Sequence, residues 1–152
     1  MIIGYKATYN FKCLDQVYEI GQEYKLDHKP EMCVSGFHYC LNAIQTIRYY
    51  PINKEFKLLE IEDLSSDTIT DGNKSCSNHI KIIREITEPD ELMNLLGRNF
   101  SYNESTKSLK VNYSDDFWYE YTYNEAGQKL TYKESSGYIR NYKYDEYGYE
   151  LT

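Results

Sequence analysis

A period of 21 residues in the last third of the chain constrains its fold more than any other feature. Tyr121-Thr122-Tyr123-Asn124-Glu125-Ala126-Gly127 corresponds to Tyr142-Lys143-Tyr144-Asp145-Glu146-Tyr147-Gly148, and Leu130-Thr131 to Leu151-Thr152. A degenerate copy precedes them at the same spacing: Phe100-Ser101-Tyr102-Asn103-Glu104, followed by Leu109. Each unit reads strand, Asn- or Asp-containing turn, strand. The three units therefore predict an antiparallel meander of about six strands.

Alternation along the second unit puts Phe117, Tyr119, Tyr121 and Tyr123 on one face and Trp118, Glu120 and Thr122 on the other. Tyr138, Tyr142 and Tyr144 take the equivalent places in the last unit. A tyrosine ladder suits a sheet one layer thick, because the rings cover apolar area while the hydroxyls stay wet. Eleven of the 18 tyrosines follow Gly97. We therefore divide the chain into residues 1–97 and 98–152.

The first part reads as an α+β domain, a small sheet with two helices. Residues 2–9 form a strand with Ile3, Tyr5 and Ala7 on one face and Lys6 and Thr8 on the other. Residues 17–20 and 23–26 read as two short strands joined in a hairpin at Gly21-Gln22. Asn42 is read as the cap of a helix reaching Tyr50, with Ala43, Ile44, Ile47 and Tyr50 inward and Pro51 beyond. Residues 56–61 are apolar on both faces, a central strand. Residues 65–78 read as a polar loop turning at Asp71-Gly72. A strand over 79–86 puts Ile80, Ile82, Arg84 and Ile86 on one face. A second helix has Thr87 as cap, Pro89 in its first turn, Leu92, Leu95 and Leu96 inward, and Gly97 past its end.

The densest group of reactive side chains is Cys33-Val34-Ser35-Gly36-Phe37-His38-Tyr39-Cys40. With Cys76 and His79 it holds residue types that ligate zinc, but six residues separate Cys33 from Cys40 and no CxxC occurs. His38 lies two positions from Cys40, within reach for thiol chemistry, and no third residue orients it. The expectation is reduced, buried thiols, with no metal and no cofactor. The acidic stretch around Asp63, Asp67 and Asp71 lacks a calcium-loop pattern and reads as solvated. A formal charge of −7 and a pI near 5.0 stand against direct nucleic-acid binding and suit a basic partner. The first residues carry no secretion signal and no apolar run reaches about 18 residues, so we expect no membrane span and a cytoplasmic location in a host cell.

Three resemblances follow from these motifs. The units after about residue 100 resemble the YD repeats of Rhs-type proteins and related phage tails, which implies hairpin architecture and no particular activity. Residues 1–87 carry Phe11-Lys12-Cys13, then 17–24 (Val-Tyr-Glu-Ile-Gly-Gln-Glu-Tyr), then Cys33 with Gly36-Phe37-His38-Tyr39-Cys40 and Tyr49-Tyr50-Pro51. With Gly72-Asn73-Lys74-Ser75 and the strand over 80–86, this series resembles an uncharacterised domain family of phages and prophages. Finally, Gly36-Phe37-His38-Tyr39 before a helix ending in Tyr49-Tyr50 is similar to the Gly-x-x-Tyr-Phe stretch and following tyrosine of ADP-ribosyltransferases. That likeness implies NAD chemistry by His38, Tyr50 and Glu85, although Lys6 is the only basic residue on the first strand.

Together these readings predict a non-catalytic binding protein of a phage or mobile element, one that blocks a host protein, such as an antiviral defence component with a basic nucleic-acid-binding groove (an anti-CRISPR-like role). Trp118, Tyr119, Tyr121, Tyr138, Tyr142 and Tyr144 are the expected contact residues, with Glu120 and Asp145 supplying charge. Alternatives are the NAD-dependent enzyme and a self-assembling module, a homo-oligomer that pairs through the sheet edge.

Overall fold

In the computed structural model, residues 1–32 and 34–151 are described. Cys33, one of the zinc-type residues considered above, and Thr152, the last residue of the repeat, lie outside them. The chain divides into two compact units, Met1–Glu91 and Leu92–Thr152. Antiparallel sheets dominate both, and the helices are minimal.

In chain order the strands are β1 (Ile2–Tyr9), β2 (Lys12–Cys13), β3 (Gln16–Val17), β4 (Glu23–Lys25) and β5 (Phe37–Tyr39). A 3-10 turn (Ala43–Gln45) and α1 (Thr46–Tyr49) precede β6 (Phe56–Asp63), β7 (Ile69–Asp71), β8 (Lys74–Ser77) and β9 (His79–Glu85). After α2 (Pro89–Leu96) come β10 (Arg98–Asn103), β11 (Ser108–Tyr113), β12 (Trp118–Tyr123), β13 (Lys129–Glu134) and β14 (Ile139–Asn141).

In the first unit β3-β2-β1-β6-β9-β4 form one sheet and β5-β8-β7 another. β6 is central, as its two apolar faces require, with Leu58, Leu59 and Ile61 fully buried. The alternation on β1 is as read, but the main core lies on the opposite face from the one its composition suggests. Lys6 pairs in register with Leu59, and Gly4 with Ile61. This puts Lys6 on the side of the cluster of Cys13, Tyr18, Phe37, Tyr39, Leu59, Ile61, Ile80 and Ile82. A Cβ at Gly4 would lie 2.3 Å from the Tyr39 ring, so only glycine admits that ring against β1.

Five further expectations are corrected. β3 and β4 do not form a hairpin: they occupy opposite edges of the sheet. Between them Gly21 (φ +86) donates its N–H to the Ile82 carbonyl, and the chain crosses beneath the sheet with Tyr18 buried. Aromatic packing of Tyr18 on Tyr24 and Phe37 outweighs the local turn signal. The helix expected over 42–50 is a 3-10 turn followed by one α-helical turn, and the Asn42 side chain makes no cap. The tighter pitch buries Ala43 and Thr46 and leaves Ile44 exposed.

The polar loop over 65–78 is in fact the β7–β8 hairpin, turning at Asp71-Gly72. Asp63, expected in solvent, is 7 % exposed. It accepts hydrogen bonds from Tyr39 (2.7 Å), Thr68 (2.5 Å), Ser77 (2.7 Å) and the Ser65 N–H (3.0 Å). On β9 a bulge between the Ile61–Ile82 and Glu60–Arg84 pairs sends Arg84 to the face opposite Ile82. There it bonds Glu60 and, at 2.6 Å, Glu91.

The second unit is a five-stranded meander in sequential order, one strand short of the expected count. Among its described residues the last repeat keeps only β14 and a single bridge between Tyr144 and Glu150. In α2, Leu92 and Leu96 are buried, and the Gly97 N–H (φ +70) closes the last turn onto Met93.

Candidate functional site

Two concave sites stand out, one in each unit. In the first unit the outer edge of β1 has two partners that diverge. Tyr5 exchanges both backbone hydrogen bonds with Cys40, whereas Tyr9 pairs with Lys12 on β2. Strand alternation points the Ala7 N–H and C=O to the same side, into the gap. The gap is a cleft of about 230 Å³ whose lining includes Lys6, Ala7, His38, Cys40, Tyr50 and Lys74. Lys6 is 3 % exposed. Its Nζ donates to the His38 carbonyl at 2.5 Å and lies 5.3 Å from the Tyr18 ring centre. Burial pushes the ammonium pKa down against the weaker pull of the Cys13, Cys76 and Cys40 thiols. The His38 imidazole is lowered by burial and by Lys6 and Lys74, and the Cys40 thiol is raised by burial. The cleft thus favours the neutral forms of amine, imidazole and thiol.

In the second unit Tyr119, Tyr121 and Tyr123 share one face of β12, and register adds Tyr132 opposite Tyr121. The Tyr121 and Tyr132 rings are 5.0 Å apart, Tyr119 and Tyr121 5.7 Å, and Tyr132 and Tyr138 6.1 Å. Tyr119, Tyr121, Tyr132, Tyr138, Arg140 and Tyr142 line a groove, also of about 230 Å³. Arg140 lies 4.5 Å from the Tyr142 ring centre and Lys129 4.4 Å from that of Tyr121. Leu109 and Val111, in register with Tyr121 and Tyr119, are fully covered on this face. Tyrosine therefore closes a thin apolar layer and presents its polar rim outward.

Residues 2–94 match a family described as a domain of unknown function, DUF7666. The chain belongs to this family. No curated protein and no solved structure matches it. The Lys6 cleft lies in the DUF7666 domain, and the tyrosine groove lies beyond the matched residues.

Of the residues singled out in the DUF7666 domain, His38 and Tyr50 line the cleft together, and the Tyr50 hydroxyl lies 2.8 Å from Cys13 Sγ. Glu85 is not in its lining and pairs with Lys57 at 4.0 Å. Among the described residues no three His, Cys, Asp or Glu side chains gather as a metal site. Also among them, no helix is long and apolar enough to cross a membrane.

Beyond the DUF7666 match, Tyr119, Tyr121, Tyr138 and Tyr142 line the groove, but the other proposed contacts do not. Trp118 and Glu120 alternate onto the opposite face. There Lys110 lies 4.6 Å from the Trp118 ring centre, and Glu120 sits in register between Lys110 and Lys133. Asp145 accepts the N–H groups of Tyr147 and Tyr149 in a turn, and the Tyr144 hydroxyl donates to the Lys129 carbonyl. Sequence reasoning missed Tyr132 and Arg140, which pair across β13 and β14. Aligning each return strand against its partner would have found them. Lys6 stands out in the sequence only as the one basic residue of the first strand, and alternation puts it on the face opposite Ile3, Tyr5 and Ala7.

Both units contain tyrosines whose ionisation the fold opposes. Burial raises Tyr18, Tyr39, Tyr50 and Tyr119, and Tyr123 is pushed up to about 12 by burial and its neighbours Tyr121, Tyr102 and Tyr142. A folded pKa above the unfolded value of about 10 gives stability that is fully present below that pH and is lost as pH rises from there through the folded value. We expect the urea midpoint to fall steeply as pH rises from about 10 to about 12. An unchanged midpoint would contradict these burials.

Proposed function

We propose that the chain is a binding protein of a phage or mobile element that seats the tyrosine groove on a host protein and blocks it. The observation that carries this reading is the groove of Tyr119, Tyr121, Tyr132, Tyr138, Arg140 and Tyr142 on a one-layer sheet. Such a wall of aromatics with one arginine has the composition of binding hot spots. Glu104, Asp115, Asp116, Glu125 and Glu146 are exposed in the turns around the sheet. Dispersed in this way they suit steering toward a basic partner better than mimicry of a row of phosphates. An antiviral defence component with a basic groove fits that chemistry, and the cytoplasm of the host is where the two would meet.

A pull-down from host cells should recover one dominant stoichiometric partner. Paired Tyr121→Ser and Tyr138→Ser changes, made in a chain that keeps its circular-dichroism spectrum, should weaken it by about 30-fold or more, the scale of a lost hot spot. Recovery of only a second copy of the chain would favour self-assembly through the open edge of β14. Undiminished binding by the variant would sink the groove assignment.

The shared cleft of His38 and Tyr50 favours a second reading, an NAD-using site similar to ADP-ribosyltransferases. The place of Glu85 counts against it. Release of nicotinamide from NAD by the purified chain, abolished by His38→Ala, would support this enzyme reading over the first.

A further inference from the structure

Beside its buried thiols the first unit also buries an amine, Lys6, at 3 % exposure. Lys6 projects from β1 into the cleft, and its ammonium form would bring three donors into a site offering one carbonyl and sulfur atoms. Among the described residues no carboxylate pairs with it, and no Asp or Glu lines the cleft. A buried lysine without a counter-charge is held toward its neutral, nucleophilic form. Lys74, over the Tyr49 ring at 5.1 Å, supplies positive charge in the same lining, within a chain of net −7. The Ala7 N–H points into the same gap. The cleft volume equals about seven or eight waters at about 30 Å³ each, the size of a small metabolite.

We propose that this cleft is a covalent binding site for a small anionic carbonyl compound of the 2-oxo acid class, held as an imine on Lys6. The Nζ lone pair attacks the carbonyl carbon to give a carbinolamine. The C–O bond then breaks, the oxygen leaves as water with both protons of the neutral amine, and a C=N bond remains. If that imine takes up one proton from solvent, its single N–H still has the His38 carbonyl as acceptor. His38, neutral in the cleft, is placed to pass protons between carbinolamine and solvent. Lys74 and the Ala7 N–H receive the carboxylate. No oxidant, metal or cofactor enters the balance. This site is independent of the tyrosine groove; it occupies the same cleft as the NAD reading but needs no NAD.

The test treats the full chain with glyoxylate and cyanoborohydride at neutral pH, which converts an imine to a stable secondary amine. Peptide mass mapping then reads each lysine. Lys6 should be modified at least tenfold faster than any other lysine or the N-terminal amine, and Lys74→Gln should slow it severalfold. Modification spread over exposed lysines with Lys6 no faster than they are overturns the proposal. An unchanged rate in Lys74→Gln overturns the anion-binding part. Lys6→Met should abolish the fast phase. Mapping of the wild-type chain decides the question even if that variant does not fold.

Discussion

Replacing Asp63 with alanine should cost the first unit about 3–5 kcal/mol, the range for removing one partner of a buried charged network. Its carboxylate ties β6 to Tyr39 on β5, to Ser77 on β8 and to Ser65 and Thr68 in the connection between β6 and β7. Tyr39 and Ser77 are themselves buried, so their hydroxyls lose an acceptor that water cannot replace. Against a typical stability of about 5–15 kcal/mol, this is a large fraction. The pH dependence supplies a second readout. Burial alone would raise the carboxyl pKa, but the bonds from Thr68, Tyr39, Ser77 and Ser65 outweigh it and hold it below the usual value. A depressed folded pKa stabilises above the unfolded pKa of about 4 and is lost as pH falls through the folded one. The difference in denaturation midpoint between wild type and Asp63→Asn should therefore shrink below about pH 4. A constant difference down to pH 2, or so small a loss in Asp63→Ala that its melt overlays wild type, would refute the hub.

Gly36→Ala should be nearly as damaging. Gly36 has φ +130, and a Cβ there would lie 2.4 Å from Cys76 Sγ and 3.1 Å from the Ser77 carbonyl. The backbone strain is about 1–3 kcal/mol, and overpacking against a fully buried side chain adds about 1–3 kcal/mol. Cys76→Ala should recover part of the overpacking loss and none of the strain. Thermal melts of the two single variants and the double variant measure both. Complete additivity would mean that the close approach to Cys76 has no energetic weight.

These two positions show how far the sequence was legible. The 21-residue period yields the meander, its turns and the shared face of Tyr119, Tyr121 and Tyr123, because local alternation and register decide them. The first unit yields its long strands β1, β6 and β9 for the same reason. What local pattern did not carry is the meeting of distant segments. Gly21-Gln22 looks like a turn because nothing nearby reveals that it hydrogen-bonds Ile82. Asp63 looks solvated because its two buried donors, Tyr39 and Ser77, lie 24 residues upstream and 14 downstream. Lys6 looks exposed because two sheets diverging from one strand edge have no sequence signature. Arg84 changes face through a bulge that a strict period of two does not contain. The candidate site divides in the same way: the tyrosines of β12 were legible, and the cross-strand Tyr132 and Arg140 were not.

The Cys33–Cys40 stretch is best understood through these distant partners. Gly36 lets β5 approach β8, Tyr39 reaches Asp63, and Cys40 closes one side of the β1 gap. Its described residues build the first unit and wall the Lys6 cleft, while the proposed partner contact lies on the tyrosine sheet.

Hydroxyl-radical footprinting of the tyrosines, with and without the recovered partner, tests the central claim most directly. The account predicts that Tyr119, Tyr121, Tyr138 and Tyr142 lose reactivity in the complex while Tyr49, in the cleft lining, keeps its own. Protection confined to Tyr49, or to Trp118 on the reverse face of β12, would contradict it.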